Sequence, residues 1–212
     1  MEGMFPEVLF TVLGVPVRDT VISTWVMVLV TVLAVYLIGK RQPDLLQMLI
    51  GFITDSISSV MGRPVEPFLP LLGSLTIFIA VANAFGIVPI FVSPTRDINT
   101  PAALAIVVFF SVHYFGVREK GPLGYLRGLA APVFMLPLEL ISQLSRTLSL
   151  TLRLFGNVIS MELIFAVIFS LVPLIVPLLP AAFSIFTGVL QAYIFTVLAA
   201  VYIDSAVASE SL

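Results

Sequence analysis

The chain has 212 residues, of which 59% are hydrophobic and only 10% are charged, and its mean hydropathy is +1.16. A soluble domain carries more charge than this on its surface, so the composition predicts a membrane protein. The net charge of -2 leaves no basic face for nucleic acid, and the lack of cysteine excludes disulfides, thiolate metal sites and thiol nucleophiles.

The first half of the chain contains three predicted membrane spans and one different helix. A helix needs roughly 20 apolar residues to cross about 30 Å of hydrocarbon. After an outer N-terminal segment, 1–20, the first span is predicted from about Val21 to Gly39. Segment 44–61 has its polar residues on one helical face and its apolar residues on the other, which predicts an amphipathic helix lying at the membrane surface. Two further spans are expected at about Phe68 to Val92 and Pro101 to Val117.

The last part of the chain is predicted to form a helical hairpin. From Ala131 the helical pattern continues to about Leu171, and one straight helix of that length would measure about 60 Å, so it must be tilted, bent or broken. Three prolines then interrupt the chain before a final helix from about Ala181 to Ala208. Residues 131–208 are therefore expected to be two long, steeply tilted, antiparallel helices.

The expected fold is thus all-α: a single membrane domain, 1–212, with five transmembrane helices and one interfacial amphipathic helix. The distribution of Lys and Arg predicts its orientation. With the N-terminus outside, the outer segments hold only Arg18 and Arg96, and six basic residues fall in the cytoplasmic loops. The positive-inside rule therefore predicts an outer N-terminus and a cytoplasmic C-terminus.

Polar residues form a stripe along the fourth predicted span. At 100° per residue, seven side chains fall within about 40° of the direction of Arg153. They are Glu139, Ser142, Arg146, Ser149, Arg153, Asn157 and Ser160. Taken singly, the three serines fit helix packing at least as well as function, and Arg146, nearer the inner end, fits a functional role and a snorkelling side chain equally well.

Neither helix packing nor snorkelling accounts well for Arg153. An arginine far from either helix end costs at least about 2.5 to 3.5 kcal/mol on insertion scales, and it cannot shed its charge. Such a residue predicts a functional site. Glu162 lies about 180° round the helix from Arg153, so we expect it to face a separate environment.

The final helix carries a shorter polar stripe. Ser184, Thr187 and Gln191 share one face, which turns apolar further along and is polar again at Tyr202. Helix packing accounts for Ser184 and Thr187 as readily as function does, but less readily for Gln191. If the last two helices are antiparallel, their polar faces approach each other, and converging polar groups in a membrane often line a water or ion path.

These residues carry a family resemblance. The motif Arg153-Leu154-Phe155-Gly156-Asn157, followed by Glu162 to Phe165, closely resembles the signature of the a subunit of F-type rotary ATP synthases. Three other stretches are similar to elements of that family: NAFGIVP from Asn83, SPTRDINT from Ser93 and LQAYIFTVLAAVYI from Leu190. The resemblance covers roughly residue 44 to the C-terminus.

The resemblance implies an ion-translocating stator subunit, with the proton as the first expectation, that has no catalysis of its own. Two offset half-channels would meet a ring of c subunits, and a fixed arginine would couple ion flow to rotation of the ring. Arg153 would be that arginine, with Asn157 and Gln191 as its polar neighbours. Glu162 would belong to the outer half-channel and Glu139 to the inner one.

Other positions carry weaker implied roles. Tyr202 would be a packing or polar partner near the inner end, and Asp97 and Asn99 match polar residues at the outer mouth. Some family members have a histidine or another ionisable group where Ser184 aligns. A serine can hold water but does not change charge near neutral pH, so the outer path would depend on Glu162 and water.

The resemblance also implies partners and a location. The partners are the c ring, the peripheral-stalk b subunits, the rest of the F-type complex and the lipid bilayer, with no nucleic acid. The location is the bacterial inner (plasma) membrane, and no cofactor or metal is implied. H⁺ and Na⁺ both remain open as the coupling ion, because selectivity in this family rests largely with the c subunit.

Two other functions compete with this one. A secondary transporter with a midplane polar site predicts inverted repeats and broken helices in both halves, and the sequence has neither. An intramembrane hydrolase needs a nucleophile and base or a metal site. The chain has one histidine, His113, and no HExxH motif, so it offers no such constellation.

Overall fold

The computed structural model describes residues 8–12, 14–86, 93–129, 136–171 and 178–208. In these ranges the chain forms a short hairpin and then six α-helices. The elements are β1 Val8–Val12, β2 Val15–Arg18, α1 Asp19–Arg41, α2 Pro43–Ser58, α3 Leu69–Phe85, α4 Asn99–Leu129, α5 Leu136–Leu171 and α6 Leu178–Val207. A 3-10 turn, Pro94–Arg96, precedes α4. The predicted helical membrane architecture is confirmed, since α1, α4, α5 and α6 are long and apolar enough to cross a membrane.

Helix α3 is apolar but shorter than a full span. It has 17 residues, and at 1.5 Å per residue it measures about 25 Å. The predicted second span runs on to Val92, and residues 87–92 lie outside the described residues. The count of five spans and the tilt of the last two helices therefore stay predictions.

The N-terminal segment holds a hairpin that the sequence pattern did not predict. β1 and β2 pair antiparallel, with Val12 opposite Val15. Gly14 lies in the turn at φ 82, a conformation that costs glycine little because it has no Cβ. Strands of four and five residues are too short to show a clear alternation of apolar and polar residues, which is why segment 1–20 carried no interpretable signal.

Helix α4 extends beyond the end predicted for the third span at Val117. The helical geometry is interrupted at Gly121, which has φ 72 and ψ 162 and precedes Pro122. Glycine tolerates this backbone conformation, and the proline has no N–H to continue the ladder. The helix therefore kinks at Gly121. Beyond it, the ring of Tyr125 lies against Gly116.

Helix α6 begins three residues before the predicted start at Ala181. Pro180 lies in its first turn, where the missing N–H of a proline removes no intrahelical hydrogen bond. Pro173 and Pro177 lie outside the described residues.

Helix α6 is the centre of the packing, since it contacts α3, α4 and α5. It runs antiparallel to α3. The hydroxyl oxygens of Thr76 and Thr196 lie 2.8 Å apart, and Asn83, later in α3, donates from Nδ2 to the carbonyl of Gly188, earlier in α6, at 3.2 Å. It also runs antiparallel to α5, because residues early in α5 meet residues late in α6. The core between these helices is fully buried at Leu72, Ile79, Leu154, Phe195 and Ile203.

The close approach of α3 and α6 gives a first testable prediction. A Cβ added at Gly188 would lie 2.7 Å from Cβ of Asn83, an atom next to the backbone that cannot rotate away. We expect Gly188→Ala to destabilise the purified protein by roughly 1 to 3 kcal/mol, the usual cost of overpacking, and thermal unfolding followed by intrinsic fluorescence measures this. Gly73→Ala in α3 is the control, because nothing lies within 4 Å of its added Cβ. Equal losses in the two variants would rule out the proposed clash.

Candidate functional site

Four charged side chains from distant parts of the chain meet around the 3-10 turn. Arg18 Nη1, at the end of β2, donates to Asp97 Oδ2 at 2.7 Å. Arg96 Nε lies 3.1 Å from Glu162 Oε2 of α5. We call Arg18, Arg96, Asp97 and Glu162 the turn cluster. Its two ion pairs tie the hairpin and the second half of α5 to the start of α4.

Asp97 is the most buried member of the turn cluster, with a side chain that is 6% exposed. Its Oδ1 accepts the backbone N–H of Asn99 at 3.1 Å, so it also fixes the first turn of α4. The side chain of Asn99 is exposed. Asp97, one of the two residues assigned to the outer mouth by resemblance, thus holds β2 and the start of α4 together in addition to supplying a negative charge.

Glu162 has a partner that the sequence alone did not identify. Its side chain is 30% exposed and that of Arg96 is 12% exposed, so the pair is half-buried. Counting along the helix put Glu162 on the side of α5 opposite Arg153, and the group it meets there is the guanidinium of Arg96. From the sequence, Arg96 contributes only to the predicted orientation, because no local sequence pattern links it to Glu162, which lies far along the chain.

A buried network holds the turn in place against α3. Thr95 Oγ1 donates to Asn83 Oδ1 at 3.1 Å, and Ser93 Oγ donates to the carbonyl of Ala82 at 3.1 Å. Asn83 in turn donates to α6 at Gly188. The stretches NAFG and SPT that resembled family elements therefore include the side chains that join α3, the turn and α6.

A second polar region lies at the other end of these helices. A cavity of about 860 Å³ opens between α4, the first half of α5 and the end of α6. Its polar lining is provided by Arg63, Glu119, Lys120, Tyr125, Glu139, Ser142, Gln143, Arg146 and Ser205. We call it the polar cleft. Beside it, Arg63 Nε donates to Asp204 Oδ1 at 2.7 Å and ties the segment after α2 to α6.

Three of the predicted site residues meet in or beside the polar cleft. Glu139 and Arg146 line it, and the guanidinium carbon of Arg146 lies 5.1 Å from the ring centroid of Tyr202 on α6. This distance permits a cation–π interaction. Gln143, which was not predicted, lies between them and donates from Nε2 to Glu139 Oε1 at 3.1 Å. A single glutamine in an apolar helix fits helix packing as well as a functional site, so the sequence does not single out Gln143.

Arg153 lies between the turn cluster and the polar cleft. It is exposed on the outward face of α5, whereas its neighbours Leu150 and Leu154 are buried in the core. No ion pair joins it to another residue in the described part of the chain. Along α5 it is about 10 Å beyond Arg146 and about 14 Å before Glu162.

The remaining predicted residues are Asn157 on α5 and Ser184 and Gln191 on α6. Asn157 and Ser184 are half-buried. Gln191 is buried on α6, and its Nε2 has no hydrogen-bond partner among the described residues. Among the ten predicted site residues, Asp97 and Glu162 thus belong to the turn cluster, with Asn99 next to it, and Glu139, Arg146 and Tyr202 lie in or beside the polar cleft.

Comparison with known proteins identifies the family. Residues 20–204 match the ATP synthase A chain family. ATP synthase subunit a 2 of Bradyrhizobium sp. strain BTAi1 is 45% identical over 209 residues, which cover 95% of this chain and 94% of that protein. The chain belongs to the ATP synthase subunit a family. ATP synthase subunit a of Legionella pneumophila is 36% identical over 100% of this chain and 96% of its own length, and subunit a 1 of Hahella chejuensis is 38% identical over 97% and 91%.

Family membership confirms the resemblance carried by the motif at Arg153. The chain is a non-catalytic, multi-pass membrane component of an ATP synthase, and the ATP chemistry lies on other subunits. Family membership also excludes the two competing functions, the secondary transporter and the intramembrane hydrolase.

The ion pair at Asp97 gives a second testable prediction. We expect Asp97→Asn to lower the thermal stability of the complex by roughly 1 to 3 kcal/mol, because it removes one partner of a half-buried pair. Thermal unfolding is measured beside ATP-driven ion pumping, and Glu66→Gln, at an exposed side chain outside the turn cluster, is the control. Unchanged stability with lost pumping would instead make Asp97 a residue of the ion path.

Proposed function

We propose that this chain is the ion-translocating stator subunit of its ATP synthase, that the ion is the proton, and that Arg153 couples ion flow to rotation of a c ring. The observation that carries this proposal is the setting of Arg153. It is an exposed arginine without an ion-pair partner in the described residues, on the outward face of a long apolar helix and between two polar regions.

The outward face of α5 supports contact with a partner inside the membrane. Leu144, Leu148 and Leu152 are 57 to 61% exposed beside Arg153. An arginine left facing hydrocarbon costs at least about 2.5 to 3.5 kcal/mol, and a carboxylate on a partner would offset that cost. A ring of c subunits, each with a membrane-embedded carboxylate, supplies such groups one after another.

Arg153 would act on each arriving carboxylate through its fixed charge. A nearby positive charge favours the ionised form of a carboxylate, so the c subunit releases its proton as it reaches Arg153. The same charge repels a free cation that could otherwise pass directly between the two sides of the membrane. Ion flow then requires the ring to turn.

The two polar regions are the proposed half-channels. The outer one involves Glu162 with Asn157, Ser184 and Gln191, and the inner one is the polar cleft with Glu139 and Arg146. Arg146 and Glu162 are about 24 Å apart along α5, so an ion entering one path cannot leave by the other without the ring. Each charge that crosses yields about 2.3 kcal/mol per 100 mV, which means that several must cross for each ATP made.

The distribution of basic residues supports the proposed orientation. Arg63 and Lys120 line the polar cleft, at the end where α6 terminates, and the positive-inside rule assigns such residues to the cytoplasm. The polar cleft would then open to the cytoplasm and the turn cluster would lie near the outer surface. The membrane would be the bacterial plasma membrane, and the b subunits of the peripheral stalk would hold the chain still against the ring.

Ion pumping by the assembled complex tests this function. The complex is purified through a tag on this chain, reconstituted in vesicles and supplied with ATP, and acidification is followed by a quenched dye with and without Na⁺. We expect the c ring and stalk to co-purify and acidification to occur without Na⁺. Uptake of Na⁺ without acidification would change the coupling ion, and absence of both ion movement and a c ring would contradict the assignment.

A further inference from the structure

A small second cavity adjoins the polar cleft on the side towards Arg153. Its volume is about 20 Å³, and its lining reaches along α5 as far as Leu150. Gln143 and Arg146 line both cavities, and His113 of α4, Thr147 of α5 and Tyr202 of α6 complete the polar part of the smaller one. A space of about 10 to 15 Å³ is enough for one water molecule, provided that polar partners surround it.

Gln143 provides the first of those partners. It is 8% exposed, and its Nε2 is already committed to Glu139. Its Oε1 is buried and has no hydrogen-bond partner among the described residues. An unsatisfied buried acceptor is costly, so buried polar atoms of this kind are usually paired with protein or with ordered water.

His113 provides the second partner. Its Nδ1 lies 2.8 Å from the carbonyl oxygen of Phe109, and because a carbonyl only accepts, Nδ1 must carry the hydrogen. In the neutral ring Nε2 is then the acceptor. The charged and titratable groups around the ring are Arg146 and Tyr202 across the small cavity and Tyr125, whose ring centroid is 5.9 Å away.

The donors and acceptors around the small cavity match a water molecule. Water can donate to Gln143 Oε1 and to His113 Nε2, and it can accept from the guanidinium of Arg146, which has donors only. Gln143 Oε1 and His113 Nε2 are both acceptors and cannot satisfy each other, whereas a water molecule between them can donate to both.

We propose that His113 and Gln143 bind an internal water molecule that extends the polar cleft towards Arg153 through the interior of the chain. This branch lies behind Arg146, between α4, α5 and α6, and apart from the face of α5 that would meet the c ring. Its role in carrying ions rests on the proposed function, but the water site does not.

Reactivity of introduced thiols tests the water site directly. The chain has no cysteine, so His113→Cys and Gln143→Cys each introduce a single thiol into this chain within the intact complex, and the labelling is read on this chain after the subunits are separated. Ag⁺, a small soft cation that binds thiolates in water, is added to vesicles, and the thiols left free are counted by maleimide labelling after denaturation. The control is Ala199→Cys, which is fully buried in α6 and lines neither cavity.

We expect both test thiols to be blocked by Ag⁺ and the control thiol to stay free. Because Gln143 also lines the polar cleft and His113 lines the small cavity alone, the thiol of His113→Cys decides whether the water site is reached, and that of Gln143→Cys shows that Ag⁺ enters the polar cleft. Test thiols that react no faster than the control would overturn the proposal. The measurement does not involve ion pumping. If Arg153→Ala kept full coupling while both test thiols reacted, the proposed function would be wrong and the water site would stand.

Passive proton flux through the membrane sector tests whether the branch carries ions. We expect His113→Phe and Gln143→Leu, which remove the acceptors, each to lower the flux about fivefold, the factor that corresponds to one hydrogen bond of about 1 kcal/mol. His113→Gln retains an acceptor and is expected to conduct at the natural rate. Flux that is unchanged in His113→Phe, with the complex assembled, would remove this branch from the ion path.

Discussion

Replacing Arg153 with alanine is expected to abolish coupled ATP synthesis and ATP-driven pumping while the complex still assembles. The side chain is exposed and makes no ion pair within the described residues, so its loss leaves the fold of this chain intact. What is lost is the fixed charge that forces an arriving carboxylate to release its proton. Proton pumping in vesicles and co-purification of the c ring separate the two effects.

Arg153→Lys is expected to fail as well. Lysine keeps a positive charge, but it is a compact ammonium without the planar, delocalised and permanently charged guanidinium. Arg41→Ala is the control, because Arg41 is an exposed arginine at the end of α1, outside both polar regions. Normal coupling in Arg153→Ala would contradict the proposed role of Arg153. Normal coupling in Arg153→Lys alone would show that a positive charge is sufficient and that the guanidinium group is not required.

Glu162→Gln is expected to lower ion flux roughly tenfold, about 1.4 kcal/mol in the barrier to entry. Two losses combine in this variant. The outer path loses its carboxylate, and the guanidinium of Arg96, 3.1 Å away, loses the compensating negative charge of Glu162, so its positive charge repels an entering cation more strongly. Passive flux is measured in vesicles beside the amount of c ring that co-purifies.

The contribution of Arg96 follows from a double-mutant cycle. If the positive charge of Arg96 opposes ion entry once Glu162 is neutral, Glu162→Gln combined with Arg96→Gln conducts better than Glu162→Gln alone, because the two side chains are directly coupled. Glu66→Gln, at an exposed residue outside the cluster, is the control. Unchanged flux in Glu162→Gln would refute a role for Glu162 in the outer path, and a double variant as slow as the single one would refute that of Arg96.

The features that the sequence predicted best are those that depend on helical periodicity. The long apolar helices α1, α5 and α6 lie close to their predicted positions, and Arg153 and Glu162 face different surroundings because a continuous helix turns 100° per residue. The predicted third span ends at Val117, before charged residues, and α4 continues past them to a kink at Gly121 because charge ends an apolar span without ending a helix.

The features that the sequence did not predict depend on contacts between distant segments. The pairing of Arg96 with Glu162, and that of Arg18 with Asp97, join parts of the chain that no local pattern connects. Gln143 and His113 are single polar residues in apolar helices, and only their position at a shared cavity distinguishes them from packing residues. The hairpin at β1 and β2 is too short for its pattern to be recognised.

The turn cluster joins two cations to two anions, and one of the cations comes from the N-terminal hairpin. Arg18 lies just before residue 20, where the match to the family begins. Without the hairpin the cluster would carry a net negative charge, and an entering cation would meet a different field. The hairpin, which carries none of the family's signature residues, would then set the charge balance at the proposed outer entrance. Chains with the same motif at Arg153 would differ in ion entry when the residue at this hairpin position differs in charge.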